Sequence, residues 1–428
     1  MLDLDTIRSR TDEVRANCAN RRIAADVDTV LALADQRSEL IQAIERMRAR
    51  RNELSGRIPK ASNDDRPALV DEAQRLKADV AEREQALADV ETNLRAEQAL
   101  IPNLTHPDAP VGPDESANRE LRRWGEVRAF DFPPRDHVAI GEALDLIDFD
   151  SATKVTGSNF YFLKNEAVLL DLALQRFALD VLREKGFVLH ATPDLARMDV
   201  LEGTGFNPRG DESQIYRIEG QDLGLIATAE ITLGGILKDE ILDADRLPLR
   251  LGGLSHCFRV ESGAYGRASR GLYRVHQFTK VEMFAFATPQ QSDAVHEEMV
   301  GIEEEIFQRL GIPYRVVDIC TGDLGGPAYR KYDLEAWMPG RGEGGEYGEV
   351  TSTSNCTDYQ ARRLAIRFRR EKGAKPELVH TLNGTAVAVS RTLLAILENY
   401  QQADGSVVVP DVLRPLMGQD RIAPPAEG

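Results

Sequence analysis

The sequence has few of the features that mark a secreted, membrane-spanning or metal-stabilised protein. Its four cysteines are scattered over 428 residues without the paired spacing of a zinc site or a disulfide framework. No apolar run approaches the ~20 residues that a membrane-spanning helix needs. The opening residues are charged and lack the apolar core of a signal peptide. We therefore expect a soluble cytoplasmic protein with no membrane partner and no zinc.

A net positive charge is also lacking. The formal charge is −17 at pH 7, so long-range repulsion opposes indiscriminate nucleic-acid binding, although a local basic patch could still bind one. Neither the phosphate-binding loop G-x-x-x-x-G-K followed by Ser or Thr nor the protein-kinase signatures occur. If the protein handles a nucleotide, arginine side chains and a divalent cation must therefore hold its phosphates.

Two amphipathic repeats occupy the N-terminal quarter of the chain. Apolar residues recur at steps of three and four over residues 30–58 and again over residues 69–101. A short polar break separates them, and neither helix could bury its apolar seam alone, so we expect an antiparallel helical hairpin. A chain of this length indicates two or three domains. We predict an arm over residues 1–104, a proline-rich linker over 105–120 and a second domain over 121–428.

Basic residues are concentrated on the first helix and the tip of this hairpin. Residues 37–60 carry seven arginine or lysine side chains against three glutamates, in a chain that is acidic overall. This local excess of positive charge fits a surface that contacts nucleic-acid phosphates. A solvated helix face would have the same composition, so charge alone leaves both interpretations open.

The residues between Cys257 and Phe286 predict two strands joined by a polar loop. Because side chains alternate across a strand, Arg259 and Glu261 share one face of the first strand. On the second strand one face is expected to collect Arg274, His276, Phe278, Lys280, Glu282 and Phe284, and the other Val275, Val281 and Met283. The polar faces of the two strands together form a surface of cations, carboxylates and an aromatic ring, which suits ATP. The alternative is an ordinary hairpin with one solvated face.

Three further segments carry polar groups suited to ligand binding. Glu349–Asn355 is strand-like and alternates a carboxylate with hydroxyl groups. Arg391 stands where an apolar strand runs into a helix, and the helix dipole disfavours a cation there unless it has a function. Thr228 and Glu230 lie two residues apart after an apolar approach. Carboxylates in a cavity could bind any small amine, so composition alone does not identify one.

The order and wording of these segments resemble the class II aminoacyl-tRNA synthetases. FRVE, a basic loop and HQFTKVE resemble motif 2 of that class, most closely in the seryl-tRNA synthetase family. GFVLHATP resembles motif 1, which forms the dimer interface in the class, and HTLNGTAVAVSRTLLAILENYQQADG resembles motif 3. The hairpin is similar to the long N-terminal arm with which the family binds tRNA. Where many family members read NGSG and VGR, this chain reads NGTA and VSR, and both versions keep a hydroxyl at position 385.

The resemblance implies the fold and the activity. The expected fold is α+β, with a long antiparallel helical hairpin followed by a class II antiparallel β-sheet catalytic domain flanked by helices. The implied enzyme is an ATP-dependent ligase that converts serine and ATP to seryl-adenylate and pyrophosphate. It then transfers serine to the 3′ end of tRNA(Ser), and also of tRNA(Sec). A homodimer and a requirement for Mg²⁺ are implied as well.

The resemblance also assigns roles to individual residues. Arg259 and Arg391 are the implied catalytic residues, and Glu349 and Ser352 the implied Mg²⁺ ligands. The implied ATP-binding residues are Arg259, Val260, Glu261, Val275, Phe278, Glu349, Val350, Thr351, Ser352 and Arg391. The implied serine-binding residues are Thr228, Ala229, Glu230, Glu282, Asn383 and Thr385. On the arm, Arg46, Arg50, Arg57 and Lys60 are expected to contact tRNA.

Two other functions remain open at this point. One is a class II relative that loads an amino acid onto a carrier protein, for which a long tRNA-binding arm would have no use. The other is a non-catalytic tRNA-binding paralogue, which would have no need to keep Arg259, Glu282 and Arg391 together.

Overall fold

A computed structural model describes residues 1–206, 215–261 and 271–424. The chain divides into two compact units, Met1–Leu104 and Thr105–Gly428. The first is helical and the second is built on a mainly antiparallel sheet, so the predicted α+β fold class is confirmed. No helix in the described ranges is long and apolar enough to span a bilayer.

Four helices form the first unit, and two of them make the predicted antiparallel hairpin. The third begins where the Asp26 side chain accepts a hydrogen bond from the Thr29 N–H, a standard N-cap. Ion pairs join the long helices, including Arg37 with Glu91 and Arg48 with Glu84. The helices are α1 (Leu4–Ser9), α2 (Thr11–Asn20), α3 (Val27–Arg57) and α4 (Arg66–Leu100), with a 3₁₀ turn at Ile58–Lys60 between the last two.

The second unit combines one large sheet with several short ones. Its helices are α5 (His137–Ala143), α6 (Phe149–Thr156), α7 (Glu166–Glu184), α8 (Met198–Thr204), α9 (Ala229–Gly235), α10 (Ser292–Leu310), α11 (Tyr359–Leu364), α12 (Val389–Asn399) and α13 (Arg414–Met417). Its strands are β1 (Arg119–Trp124), β2 (Ile147–Asp148), β3 (Phe162–Leu163), β4 (Val188–Ala191), β5 (Leu195–Arg197), β6 (Leu223–Leu225), β7 (Ile241–Asp243), β8 (Leu249–Phe258), β9 (Gln277–Ala287), β10 (Tyr314–Asp318), β11 (Arg330–Met338), β12 (Glu346–Asn355), β13 (Arg367–Arg369), β14 (Glu377–Leu378), β15 (His380–Ala388), β16 (Val407–Val408) and β17 (Arg421–Ile422).

Within the described residues, eight strands form the large sheet in the order β1-β10-β11-β12-β15-β9-β8-β4. Neighbouring strands run antiparallel except for the edge strand β4, which pairs parallel with β8. Helices α7, α10 and α12 pack on the sheet. Alternate residues of the central strand β9, such as Val281 and Met283, are fully buried in the shared apolar core. The central strands are thereby held rigidly, and their other alternate residues line a cleft.

Two boundaries differ from the sequence predictions. The last two residues of the expected linker belong to the sheet, because β1 begins at Arg119. The segment before it also bonds to the second unit, for the His106 N–H donates to the carbonyl oxygen of Tyr329 at 2.8 Å. The motif 2 strands are shorter than expected, so residues 259–261 follow β8 and residues 274–276 precede β9. The predicted loop between them falls on residues 262–270, outside the described residues.

Candidate active site

The predicted ligand-binding residues meet in a cleft formed by β8, β9, β12, β15 and the first turns of α9 and α12. A cavity of about 120 Å³ lies at its inner end, and a larger one of about 1040 Å³ adjoins it. Both cavities are lined by Tyr273, Arg274, Glu349 and Arg391. The inner cavity is further lined by Phe206, Thr228, Glu230, Arg259, Glu261, Val275, Phe278, Lys280, Glu282, Val350, Thr351, Ser352, Asn383, Thr385, Ala388 and Ser390.

Two residues with predicted roles stand apart from this lining. Val260 is not among the residues that line the inner cavity. Ala229, the first residue of α9, is fully buried in an apolar cluster. A Cβ at Gly253 would come within 2.9 Å of the Ala229 methyl, so glycine lets α9 approach β8 closely. This approach brings the neighbouring Glu230 into the cleft.

The nucleotide-binding half of the cleft begins where β8 ends. The Arg259 guanidinium lies over the Phe278 ring, 5.2 Å from its centroid. The Arg259 N–H donates to the carbonyl oxygen of His276 at 2.9 Å, which keeps the two halves of the hairpin paired beyond the strands. Arg274 donates to the carboxylate of Glu261. A flat ring and two guanidinium groups therefore lie side by side at the cleft wall.

A third arginine enters the cleft from the first turn of α12. Arg391 pairs with the Glu349 carboxylate at 3.2 Å, and its Nε donates to the carbonyl oxygen of Tyr273 at 3.2 Å. Burial alone would raise the pKa of Glu349, but Arg391, Lys331 and Arg259 lower that pKa to about 2. Glu349 is therefore an anion at any physiological pH, and it offsets the cost of a cation at a helix N-terminus.

The amino-acid-binding half of the cleft contains two buried carboxyl groups. Thr228 caps α9 by accepting a hydrogen bond from the Glu230 N–H at 3.2 Å. The Glu230 carboxylate accepts hydrogen bonds from Gln360 at 2.7 Å and from Asn383 at 2.9 Å. Burial and the nearby Glu282 carboxyl raise the pKa of Glu230 to about 7. Neutral groups therefore hold Glu230 in place, and Lys280 and Arg259 lower its pKa only in part without forming an ion pair with it.

The second carboxyl group, Glu282, has a cation beside it. The Lys280 ammonium lies 2.5 Å from a Glu282 carboxylate oxygen and 3.4 Å from the Thr385 hydroxyl. Thr385 stands opposite Glu282 on the adjacent strand β15 and lies 3.5 Å from the same oxygen. Burial raises the pKa of Glu282, and Lys280 opposes that rise.

Two charged side chains among the described residues of the inner cavity take no part in its ion pairs. Among its described residues, Glu261 pairs with Arg274, Glu282 with Lys280 and Glu349 with Arg391. In the same described set, Arg259 and Glu230 are the charged groups without an ion-pair partner. One unpaired guanidinium and one unpaired carboxylate match the carboxylate and ammonium of a zwitterionic amino acid.

The cleft also presents hard oxygen donors suited to Mg²⁺. Glu349 supplies an ionised carboxylate and Ser352 a hydroxyl, three residues further along β12. Within residues 1–206, 215–261 and 271–424, no three His, Cys, Asp or Glu side chains form a metal-binding cluster. Magnesium commonly uses only one or two protein oxygens and completes its shell with phosphate oxygens and water, so this donor pair fits the ion.

Sequence reasoning assigned no role to several residues of this cleft. Arg274 and Lys280 were placed on the predicted face, and their charge is the only signal that marks them. Tyr273 and Phe206 carried no signal, because they lie outside the strands where alternation applies. Gln360 holds Glu230 from α11, a contact between residues far apart in sequence.

Comparisons with known proteins identify the family. The family model "Seryl-tRNA synthetase N-terminal domain" matches residues 1–105, and "tRNA synthetase class II core domain (G, H, P, S and T)" matches residues 215–400. The chain is 61% identical over 425 residues to the serine–tRNA ligase of Rubrobacter xylanophilus, covering 99% of each chain. It is 55% identical over 423 residues to that of Treponema denticola, covering 99% of this chain and 100% of the relative.

Solved structures agree with these relatives. A seryl-tRNA synthetase from Pyrococcus horikoshii complexed with ATP superposes with a TM-score of 0.91 and 42% identity, covering 100% of both chains. A cytoplasmic serine–tRNA ligase from Naegleria fowleri in complex with AMP gives a TM-score of 0.86 and 31% identity, covering 100% of this chain and 99% of the other. The resemblance found in the sequence is therefore confirmed: the chain belongs to the seryl-tRNA synthetase family of class II synthetases.

Proposed function

We infer that the protein is a serine–tRNA ligase that activates serine with ATP and transfers it to tRNA(Ser). The observation that carries this inference is that Arg259 and Glu230, the two described charges without ion-pair partners, lie in one cavity with the buried Glu282 and Thr385 side chains. The first charge binds a carboxylate and the second an ammonium, and their surroundings suit a short polar side chain.

In the first step, a carboxylate oxygen of serine attacks the α-phosphorus of ATP. The new P–O bond forms as the bond to the β-phosphate oxygen breaks, and pyrophosphate leaves. Arg259 bridges the two anionic reactants, since a planar guanidinium donates in two directions. Arg391 binds the outer phosphates, while Phe278 and Glu261 hold the adenine by stacking and hydrogen bonding. A Mg²⁺ ion held by Glu349 and Ser352 would supply further charge neutralisation.

Serine is oriented by four groups of the inner cavity. Glu230 accepts a hydrogen bond from its ammonium, and Arg259, the other described charge without an ion-pair partner, binds its carboxylate. The side-chain hydroxyl then meets Glu282 and Thr385, which are both buried. Alanine would leave those buried polar groups without partners, and such a site rejects an analogue that lacks the hydroxyl.

The helical hairpin is proposed to bind tRNA through its cations. Of the four predicted residues, Arg50 and Arg57 already pair with Glu53. In the described hairpin, Arg46 and Lys60 are exposed and make no ion pair, so they are the groups best placed to contact phosphates. Binding of tRNA(Sec) by the same arm stays a prediction. Because tRNA charging occurs where translation does, we expect the protein in the cytoplasm.

A homodimer is proposed from the exposed apolar residues near the motif 1 segment. On α7, Leu172 is 54% exposed, and on the edge strand β4 Val188 is also 54% exposed. An exposed apolar helix face beside a sheet edge that no other described strand covers favours association with another copy.

Amino-acid-dependent exchange of pyrophosphate into ATP, followed by charging of tRNA(Ser), tests this function. Serine should stimulate exchange far more than alanine, glycine or threonine, and Arg259→Ala should abolish that exchange. Exchange with another amino acid but not with serine would contradict the proposal. Exchange without tRNA charging would favour the carrier-protein ligase, and no exchange at all would favour the non-catalytic paralogue.

A further inference from the structure

We propose that Lys280 determines the specificity of the amino-acid site for a hydroxyl over an ammonium side chain. By pairing with Glu282, Lys280 leaves the inner cavity with a single free carboxylate, Glu230. The site therefore accepts an amino acid with one ammonium and a neutral, hydrogen-bonding side chain. This inference rests on the proposed function and assigns a role to a residue that has none so far.

The placement of Lys280 follows from strand alternation. Lys280 and Glu282 lie two residues apart on β9, so their side chains share the cleft face, and both are nearly inaccessible. A charged lysine is rarely buried unless it is paired. Its ammonium is 2.5 Å from Glu282 and 3.4 Å from the Thr385 hydroxyl. The lysine is thus fixed at the place where a serine side chain would arrive.

The two carboxyl groups of the amino-acid-binding half explain why a cation is needed beside Glu282. The Glu282 carboxyl is close enough to Glu230 to contribute to the raised pKa of Glu230. Without Lys280, two buried carboxyl groups would face one ligand, and the best partner for them would carry two ammonium groups. L-2,3-diaminopropionate is such a ligand, because it has the size of serine and an ammonium in place of the hydroxyl. With Lys280 present, a second ammonium meets a cation instead.

The hydrogen-bonding capacity of Lys280 and Glu282 also favours a hydroxyl over an ammonium on the bound amino acid. A lysine ammonium has three donors, and Glu282 and Thr385 take two of them. The third can donate to a hydroxyl oxygen, while Glu282 accepts the hydroxyl proton. A hydroxyl satisfies both groups because it accepts and donates, whereas an ammonium only donates.

The test compares kcat/KM for serine and for L-2,3-diaminopropionate in pyrophosphate exchange. Wild-type protein should use serine and reject the diamino acid. Lys280→Met keeps the length of the side chain but removes the charge, and it should shift the ratio toward the diamino acid by about 100-fold or more. Lys280→Gln, a second neutral variant, should shift the ratio in the same direction. Lys280→Arg, which keeps the charge, should retain a preference for serine.

A double variant separates charge from damage to the fold. Lys280→Met combined with Glu282→Gln removes both charges, so the preference for the diamino acid should disappear. Retained stabilisation of each variant by ATP in thermal unfolding shows that the cleft is intact. An unchanged ratio in both neutral variants, or equal losses for the two amino acids, would overturn the proposal. Failure of the wild-type protein to use serine would instead contradict the proposed function.

Discussion

Arg391 contacts Glu349 twice: its Nη1 donates to the backbone carbonyl oxygen at 3.1 Å and pairs with the carboxylate at 3.2 Å. This contact joins the first turn of α12 to strand β12 at the centre of the cleft. Arg259 reaches the same cavity from the end of β8 and also lowers the pKa of Glu349. Two guanidinium groups from distant parts of the sequence therefore converge on one carboxylate.

Replacing Arg391 should greatly slow the formation of seryl-adenylate. Arg391→Met removes a half-buried guanidinium that is proposed to bind the phosphates, and we expect serine-dependent pyrophosphate exchange to fall about 10²–10³-fold. Arg370→Met is a matched control, since Arg370 forms an exposed pair with Glu377. The control should change exchange little because such pairs contribute little. Comparable losses in both variants would refute the assignment.

Serine binding should depend on pH through Glu230. Burial and the Glu282 carboxyl raise the pKa of Glu230 to about 7. Only the ionised carboxylate, which predominates above that pKa, attracts the serine ammonium. The KM for serine should therefore be about tenfold higher at pH 6 than at pH 8. Glu230→Gln keeps the shape and an oxygen acceptor but removes the charge, so its KM should be high and nearly independent of pH. A wild-type slope that survives in this variant would assign the titration to another group.

The arm cations should control tRNA charging but not serine activation. We expect Arg46→Ala combined with Lys60→Ala to raise the KM for tRNA and to lower the salt dependence of charging by about two in log–log slope. Arg48→Ala is the control on the same helix, because Arg48 already pairs with Glu84. Pyrophosphate exchange should be unaffected in all of them. An unaltered salt slope in the double variant would exclude these two contacts.

The exposed face of α7 should control the oligomeric state. Leu172→Glu places a charge in the proposed interface, and sedimentation velocity should show a monomer where the wild-type protein is a dimer. Val155 on α6 is 67% exposed and provides the control Val155→Glu. A dimer that persists in Leu172→Glu, or a wild-type monomer, would contradict the proposed interface.

The sequence predicted the residues of β9 well because alternation is a local property. Phe278, Lys280 and Glu282 face the cleft together, while Met283 lies in the core. Phe284 has the cleft parity but packs against Phe286 in a second apolar cluster, because α9 covers the sheet at that point. Alternation cannot show where a helix from elsewhere will cover a strand.

Strand ends and long-range partners could not be predicted in the same way. Glu261 has a positive φ of 54°, which marks the departure of the chain from β8 at a residue type that seldom adopts it. Gln360 reaches Glu230 from α11, and nothing in the sequence around either residue predicts this contact. The identity of the carboxylate proposed to bind the ammonium therefore depended on the resemblance, whereas its lack of an ion-pair partner among the described residues required the coordinates.

The resting ion pairs of the cleft make ligand binding a competition. Glu349 and Glu261 hold Arg391 and Arg274 before any nucleotide arrives. We expect an incoming triphosphate to compete with those carboxylates for the guanidinium groups, because it carries more negative charge than either carboxylate. A neutral analogue of the nucleotide would leave both ion pairs in place, so we expect anionic groups at the phosphate positions to strengthen inhibitor binding.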